Sequence, residues 1–177
     1  MPAPIRATEA EMIRAARDLL ERDGLDGVTM SAVAAALNIR PPSLYKKVRD
    51  RTGLVALIGD AVATDVLTAL DAIATESLAP RDALAGYARA YRAVAADSPR
   101  AISLLFTHPA GTTGPIRELL DRLLAAVARA TAGDPLPIAR NLTAWLFGFC
   151  SLEQAGAFRS GGNVDEAFEW GLANVLP

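Results

Sequence analysis

The chain has 177 residues, 51% hydrophobic and 21% charged, with 18 Lys and Arg against 20 Asp and Glu; this excludes a disordered tail and suits one mid-sized domain, or a small module joined to a larger one. A single cysteine and a single histidine exclude a disulfide framework, zinc sites of CxxC type and multi-histidine metal or catalytic constellations. No apolar run approaches the ~18 residues of a membrane span, no signal-peptide core is visible, and a net charge of −2 taken alone gives no hint of a nucleic-acid partner.

Richness in alanine and the scarcity of β-branched alternation predict helices almost throughout. Thr8 and Glu11 have the spacing of a capping box, and Ile13, Ala16 and Leu20 then recur on one helical face until Gly24 and Gly27. Thr29 is placed to cap a short second helix over 29–38, with Val33 and Leu37 facing inward and Ala34 to Ala36 allowing close approach. Asn38 tolerates the left-handed conformation that a tight inter-helix turn demands. Pro41 and Pro42 suit the first turn of a very short third helix, expected over 41–47. Asp50 can cap a long fourth helix carrying Leu54, Ile58, Val62 and Leu70.

Further helices are expected at about 81–96, 99–107, 114–131, 136–159 and 164–175, bounded by Pro80, Pro99, Pro115 and Pro135. Ile116, Leu120, Leu123 and Val127 form one strong apolar face; Leu142, Trp145, Phe149 and Leu152 form another. Residues 108–114 read as a loop, and Gly161-Gly162 as the turn before the last helix.

Charge is unevenly spread. Residues 1–53 hold nine basic and seven acidic side chains, a net of +2, whereas residues 54–177 hold nine and thirteen, a net of −4. Within 40–51 lie Arg40, Lys46, Lys47, Arg49 and Arg51 against Asp50 alone, with Tyr45 among them. Such a cluster either binds phosphates, through its cations and a phenol donor, or is an ordinary solvated surface. The geometry favours the first: a supporting helix, a short helix, a tight turn and a second short helix describe a helix-turn-helix, which lays its second helix in the DNA major groove.

The stretch GLDGVTMSAVAAALNIRPPSLYKKVRDRTGLV resembles the DNA-binding module of the TetR (tetracycline-repressor-like) transcriptional regulators over about residues 8–57. Its landmarks are Gly24, Thr29, Ala34 and Leu37, the Leu44-Tyr45 pair, and Arg51 with Leu54. The resemblance implies an all-α homodimer, with a three-helix DNA-binding domain over 1–52 and a larger ligand-binding and dimerisation domain over 53–177. It also implies that Thr29, Tyr45, Lys47 and Arg51 contact phosphates, and that Pro42, Ser43 and Lys46 stand where bases are read. Lys46 could reach guanine O6/N7. Arg40 occupies a position usually held by a small capping residue, so it either contacts DNA or weakens the cap. The Pro41-Pro42 pair and Asn38 resemble the tetracycline-repressor branch.

A second, looser resemblance is to the WHG-type C-terminal domain of one TetR subgroup: Gly148, Leu152, Glu153 and Phe158 match, while Thr143 and Phe147 stand where that pattern has Trp and His. The family's four-helix dimer bundle implies an interface from Leu142, Leu146, Leu152, Val164, Phe168, Leu172 and Val175, and the eight-residue spacing of Gly148 and Gly156 reads as allowing close helix approach. A ligand pocket is expected among helices 81–131 and 136–159, from Tyr87, Tyr91, Phe106, His108, Trp145, Phe149 and Cys150; for each, core packing is the alternative. The function so read is a cytoplasmic, ligand-responsive regulator, most simply a repressor, that binds palindromic double-stranded operator DNA as a homodimer and is released by a small ligand. No cofactor, metal or membrane partner is implied. The alternatives are a regulator without a small ligand, or a helical carrier or enzyme with a degenerate module.

Overall fold

The computed structural model describes residues 7–73, 77–107 and 114–177, and every regular element among them is helical. α1 (Glu9–Asp23) opens on the expected capping box: Thr8 Oγ1 accepts from Glu11 N at 3.2 Å, and the Glu11 carboxylate accepts from Thr8 N at 2.7 Å. Its inner face is Met12, Ala16, Leu19 and Leu20, and Gly24 at φ 76° ends it. A 3-10 turn (Leu25–Gly27) leads to α2 (Met30–Ala36), where Thr29 Oγ1 accepts from Ala32 N at 3.1 Å. Asn38, at φ 52°, takes the left-handed conformation that the turn needs.

α3 (Pro41–Leu44) is one turn, shorter than the 41–47 expected. The Leu44 carbonyl accepts from both Lys47 N and Val48 N, at 2.8 and 3.0 Å, so the chain tightens into turns. Buried Leu44 and Val48 pin both ends of that segment.

α4 (Arg51–Ile73) starts where Asp50 Oδ1 accepts from Gly53 N at 2.8 Å. Leu54, Ile58, Val62 and Leu70 are all buried, as expected, among nine buried residues of this helix. By length and composition α4 is apolar enough to cross a membrane, contrary to the sequence expectation that no such run exists; here it is the central core helix, packed against α1 and the C-terminal helices.

α5 (Pro80–Asp97) is followed by a 3-10 turn (Ala101–Ser103) and the one-turn α6 (Leu104–Thr107), where a single helix over 99–107 was expected. α7 (Pro115–Ala130), α8 (Pro135–Gln154) and α9 (Val164–Val175) complete the fold, with α7 against α4, α5 and α8, and α9 against α8. α8 stops five residues before the expected 159. Gly156, at φ 67°, donates to Glu153 O, and Ala157 N donates to Leu152 O, a Schellman closure. Gly156 therefore ends the helix rather than sharing a close-approach face with Gly148, whose Cα side is open space. The glycine that does admit a close approach is Gly171, where a Cβ would lie 2.6 Å from Trp145 Cζ2.

α1 is bolted to the C-terminal helices by polar contacts. Arg17 pairs with Asp65 of α4 at 2.6 Å and donates to Ser98 Oγ, at the end of α5, at 2.6 Å. Glu21 and Arg100 join the last turn of α1 to the turn leading into α6.

Candidate functional site

The turn after α3 presents its side chains outward because its alternate anchors point in. Leu44 and Val48 are buried, while Tyr45, Lys46 and Lys47 between them are exposed, Tyr45 to 55%. Pro42, Ser43, Arg40 and Thr29 are exposed on the same module. Among the described residues no carboxylate pairs with Arg40, Lys46 or Lys47, and Arg49 has only a loose 3.7 Å contact with Asp50. The result is an uncompensated cationic face beside a phenol hydroxyl, with chemistry suited to a phosphodiester backbone.

Arg51 has backbone partners that the sequence reading did not give it, and Arg40 keeps both of its alternatives. The Arg51 guanidinium donates to Val28 O at 2.7 Å and to Leu25 O, which also accepts from Val28 N, at 2.6 Å, fixing the start of α4 against the α1–α2 loop. Its Nε and one Nη thus donate to backbone, and the other Nη makes no hydrogen bond among the described residues. Arg40 sits at the N-cap of α3 and makes no side-chain cap bond; prolines in the first turn need fewer such partners.

A second feature lies in the C-terminal helices. Tyr87, Tyr91 and Phe106 line an apolar pocket with Leu105, Ile116, Leu119, Leu120, Leu123, Thr143 and Leu146. It holds about 410 Å³ of unfilled space including its mouth, of which about 30 Å³ admits the centre of a water molecule. Tyr87 donates to Leu119 O at 3.1 Å, and burial pushes its phenol well above the usual range.

The other expected pocket residues stand elsewhere. Trp145 packs tilted and Phe149 edge-on against Phe168, with ring centroids 5.3 and 5.2 Å away, in an aromatic cluster between α8 and α9. Cys150 is buried in the core, where desolvation pushes its thiol up to about 12. His108 lies outside the described residues.

The expected interface set is also corrected. Leu142, Leu146, Phe168 and Leu172 are buried inside this one chain, so a partner cannot reach them; Leu152 is 50% exposed, and Val164 and Val175 are half-buried. The most apolar stripe of each helix is the inner one. The outer stripes of α8 and α9 carry Ala144, Phe147, Ser151 and Trp170, with Trp170 73% exposed. A second i, i+3, i+7 stripe, Ala144-Phe147-Ser151, was the available signal.

Glu153 and Phe158, carried by the second resemblance, hold α8 in place. Glu153 binds Arg92 of α5 through two hydrogen bonds, Arg92 also pairs with Asp165 at 2.8 Å, and its guanidinium lies 4.5 Å from the Phe168 ring centroid. Phe158 packs on Phe149 at 5.0 Å.

Comparison with known proteins agrees with this geometry. A family model described as bacterial regulatory proteins, tetR family, matches residues 12–58, and one described as tetracyclin repressor-like, C-terminal domain, matches residues 84–175. YobS of Bacillus subtilis (strain 168), an uncharacterized HTH-type transcriptional regulator, is 26% identical over 183 residues, covering 99% of this chain and 94% of YobS. BioQ with its natural double-stranded DNA operator has a TM-score of 0.72 at 23% identity, covering 96% of this chain and 95% of that one. A TetR variant from Acinetobacter baumannii AYE in complex with minocycline has a TM-score of 0.73 at 19% identity, covering 96% and 94%.

Proposed function

The chain belongs to the tetracycline-repressor-like (TetR) family and is a DNA-binding transcriptional regulator; from that premise we propose that it is a cytoplasmic, non-enzymatic repressor which binds a palindromic operator as a homodimer and releases it when a small ligand occupies the C-terminal pocket. The observation that carries the DNA-binding assignment to particular residues is the uncompensated face of Tyr45, Lys46 and Lys47 over buried Leu44 and Val48. In this reading Thr29, Tyr45 and Lys47 hold phosphates, Arg40 adds an exposed cation, and Pro42, Ser43 and Lys46 face the bases. The division between the two domains falls near residue 52, at the start of α4. The dimer forms through the outer faces of α8 and α9, where Phe147, Leu152 and Trp170 are exposed.

Regulation is a shift between two arrangements of the reading heads. A ligand that displaces Leu105 and Phe106 on α6 pulls on the Glu21–Arg100 junction and so on α1, changing the spacing of two recognition segments that must fit half-sites about one DNA turn apart. Support comes from two features: α6 lines the pocket, and the turn before it is hydrogen-bonded to α1. A competing reading, a regulator with no small ligand, is favoured by the narrow free volume of about 30 Å³. Selecting binding sites from a random duplex pool tests the first step, and a palindrome with half-sites one turn apart is the expected product. Non-palindromic sites bound by monomer in analytical ultracentrifugation count against it. Thermal-shift screening with small molecules separates the two regulatory readings.

A further inference from the structure

Resting on the ligand-responsive reading, we propose that the pocket between α5, α6, α7 and α8 takes a small, uncharged, mostly apolar molecule bearing one hydrogen-bond-accepting oxygen, such as a ketone, ester or lactone, and rejects carboxylates and amines. Among the described residues the walls carry no charged side chain. The polar side-chain groups among those described wall residues are three hydroxyls, and Tyr87 already donates its proton to Leu119 O at 3.1 Å.

Tyr91 is only 3% exposed, and among the described residues its hydroxyl has no hydrogen-bond partner. No side-chain nitrogen or oxygen among the described residues is both walled off and unpaired, so this hydroxyl borders free space. Thr143, on α8 across the pocket, likewise makes no side-chain hydrogen bond among the described residues. Burial keeps the Tyr91 phenol protonated far above neutral pH, so it presents a donor to an incoming oxygen. A ligand carbonyl there would satisfy a polar group that the fold leaves open.

A charged ligand finds no counterion among the described residues of the wall. Arg122 is close enough to Tyr87 to act on its phenol, but it does not line the pocket; it lines the neighbouring groove with Arg129 and is held by Asp71 at 2.5 Å and Glu118 at 2.8 Å. Asp60 accepts from Ile116 N and does not line the pocket either. A buried carboxylate or ammonium would therefore be desolvated without compensation. The wall that yields is Phe106. It is 41% exposed on a one-turn helix, and its ring meets Tyr91 and Phe147 at centroid distances of 6.0 and 5.4 Å.

The test is calorimetric titration of the full chain with three probes of one shape: acetophenone, ethylbenzene and benzoate. Acetophenone is expected to bind about fivefold more tightly than ethylbenzene, and benzoate at least about tenfold more weakly than acetophenone. Tyr91→Phe, which keeps the ring, should erase the acetophenone advantage and leave ethylbenzene unchanged; Thr143→Val is the second, independent variant. Benzoate binding as tightly as acetophenone, an advantage that survives in both variants, or no binding of any probe at millimolar concentration overturns the proposal. Operator binding is measured alongside by fluorescence anisotropy. Acetophenone that binds as expected but leaves operator affinity intact sinks the ligand-responsive reading and keeps the pocket chemistry. Release by benzoate alone does the reverse.

Discussion

Glu21 and Arg100 cap each other's helical segments. The Glu21 carboxylate, in the last turns of α1, accepts from Arg100 N at 3.0 Å and Ala101 N at 2.8 Å, while the Arg100 guanidinium donates to Glu21 O at 2.8 Å. Each supplies partners to backbone groups that a helix end leaves open. Glu21→Ala is expected to cost about 1–2 kcal/mol, the worth of a helix cap, and to lower Tm by about 2–8 °C for a chain of this length. The Glu21→Ala/Arg100→Ala double variant should lose less than the sum of the two singles, because they share one junction. Strictly additive losses in calorimetry would show two independent caps.

Lys46 and Lys47 are neighbours with different expected roles. Lys47→Ala should weaken binding to all duplexes alike and flatten the dependence of log affinity on log salt by about one unit, as the loss of one phosphate contact does. Lys46→Ala should alter preference at particular base pairs by about 1–3 kcal/mol. Anisotropy titrations over a salt series, with single-base operator variants, distinguish the two. A uniform loss for Lys46→Ala would reassign it to the backbone.

Arg51 supplies a third expectation because it is held from below. Its hydrogen bonds to Leu25 O and Val28 O tie α4 to the α1–α2 loop. Arg51→Ala should therefore lower thermal stability as well as operator affinity, whereas Lys47→Ala, exposed and unpaired with any described carboxylate, should leave Tm within about 1 °C. Equal and negligible Tm changes for both would return Arg51 to the phosphate-contacting set.

Local signals were legible in the sequence. The Thr8–Glu11 box, the left-handed Asn38, the Thr29 and Asp50 caps and the inner face of α4 all depend on residues within a few positions of one another, and each is present. Properties set by distant residues were not legible. Arg51 looks like one more cation in a basic run, and only the fold brings the Leu25 and Val28 carbonyls to it. Leu142 and Phe168 are apolar enough for an interface, but α5 and the facing helix of the same chain already cover them. Trp145 and Phe149 have the bulk of pocket residues, yet the small Gly171 on α9 draws Trp145 into the aromatic cluster instead.

That close approach makes Gly171 a sensitive position. A Cβ there would sit 2.6 Å from Trp145 Cζ2 and 3.1 Å from its Cε2, and the indole also packs on Phe149 and Phe168 at 5.6 and 5.3 Å. Gly171→Ala should destabilise by about 1–3 kcal/mol as an overpacked core, despite alanine's better helix propensity. Urea unfolding followed by tryptophan fluorescence measures this. A variant as stable as wild type would mean that the indole has room to move aside.

Cys150 gives a pH-dependent expectation with a definite sign. Burial raises its thiol from 9.0 to about 12, so the unfolded chain loses this proton before the folded one does. Its contribution to stability is therefore intact below about pH 9 and declines as pH rises from 9 toward 12. At about pH 8 the folded protein should react with iodoacetamide at least a hundredfold more slowly than the urea-unfolded chain, because both thiolate fraction and access are suppressed. Replacing the thiol by Cys150→Ala should remove this alkaline dependence, so that wild type loses its advantage over the variant as pH rises from about 9 toward 12. Rapid alkylation of native protein, or an advantage that stays constant over that range, would place the thiol at an open surface rather than in the core.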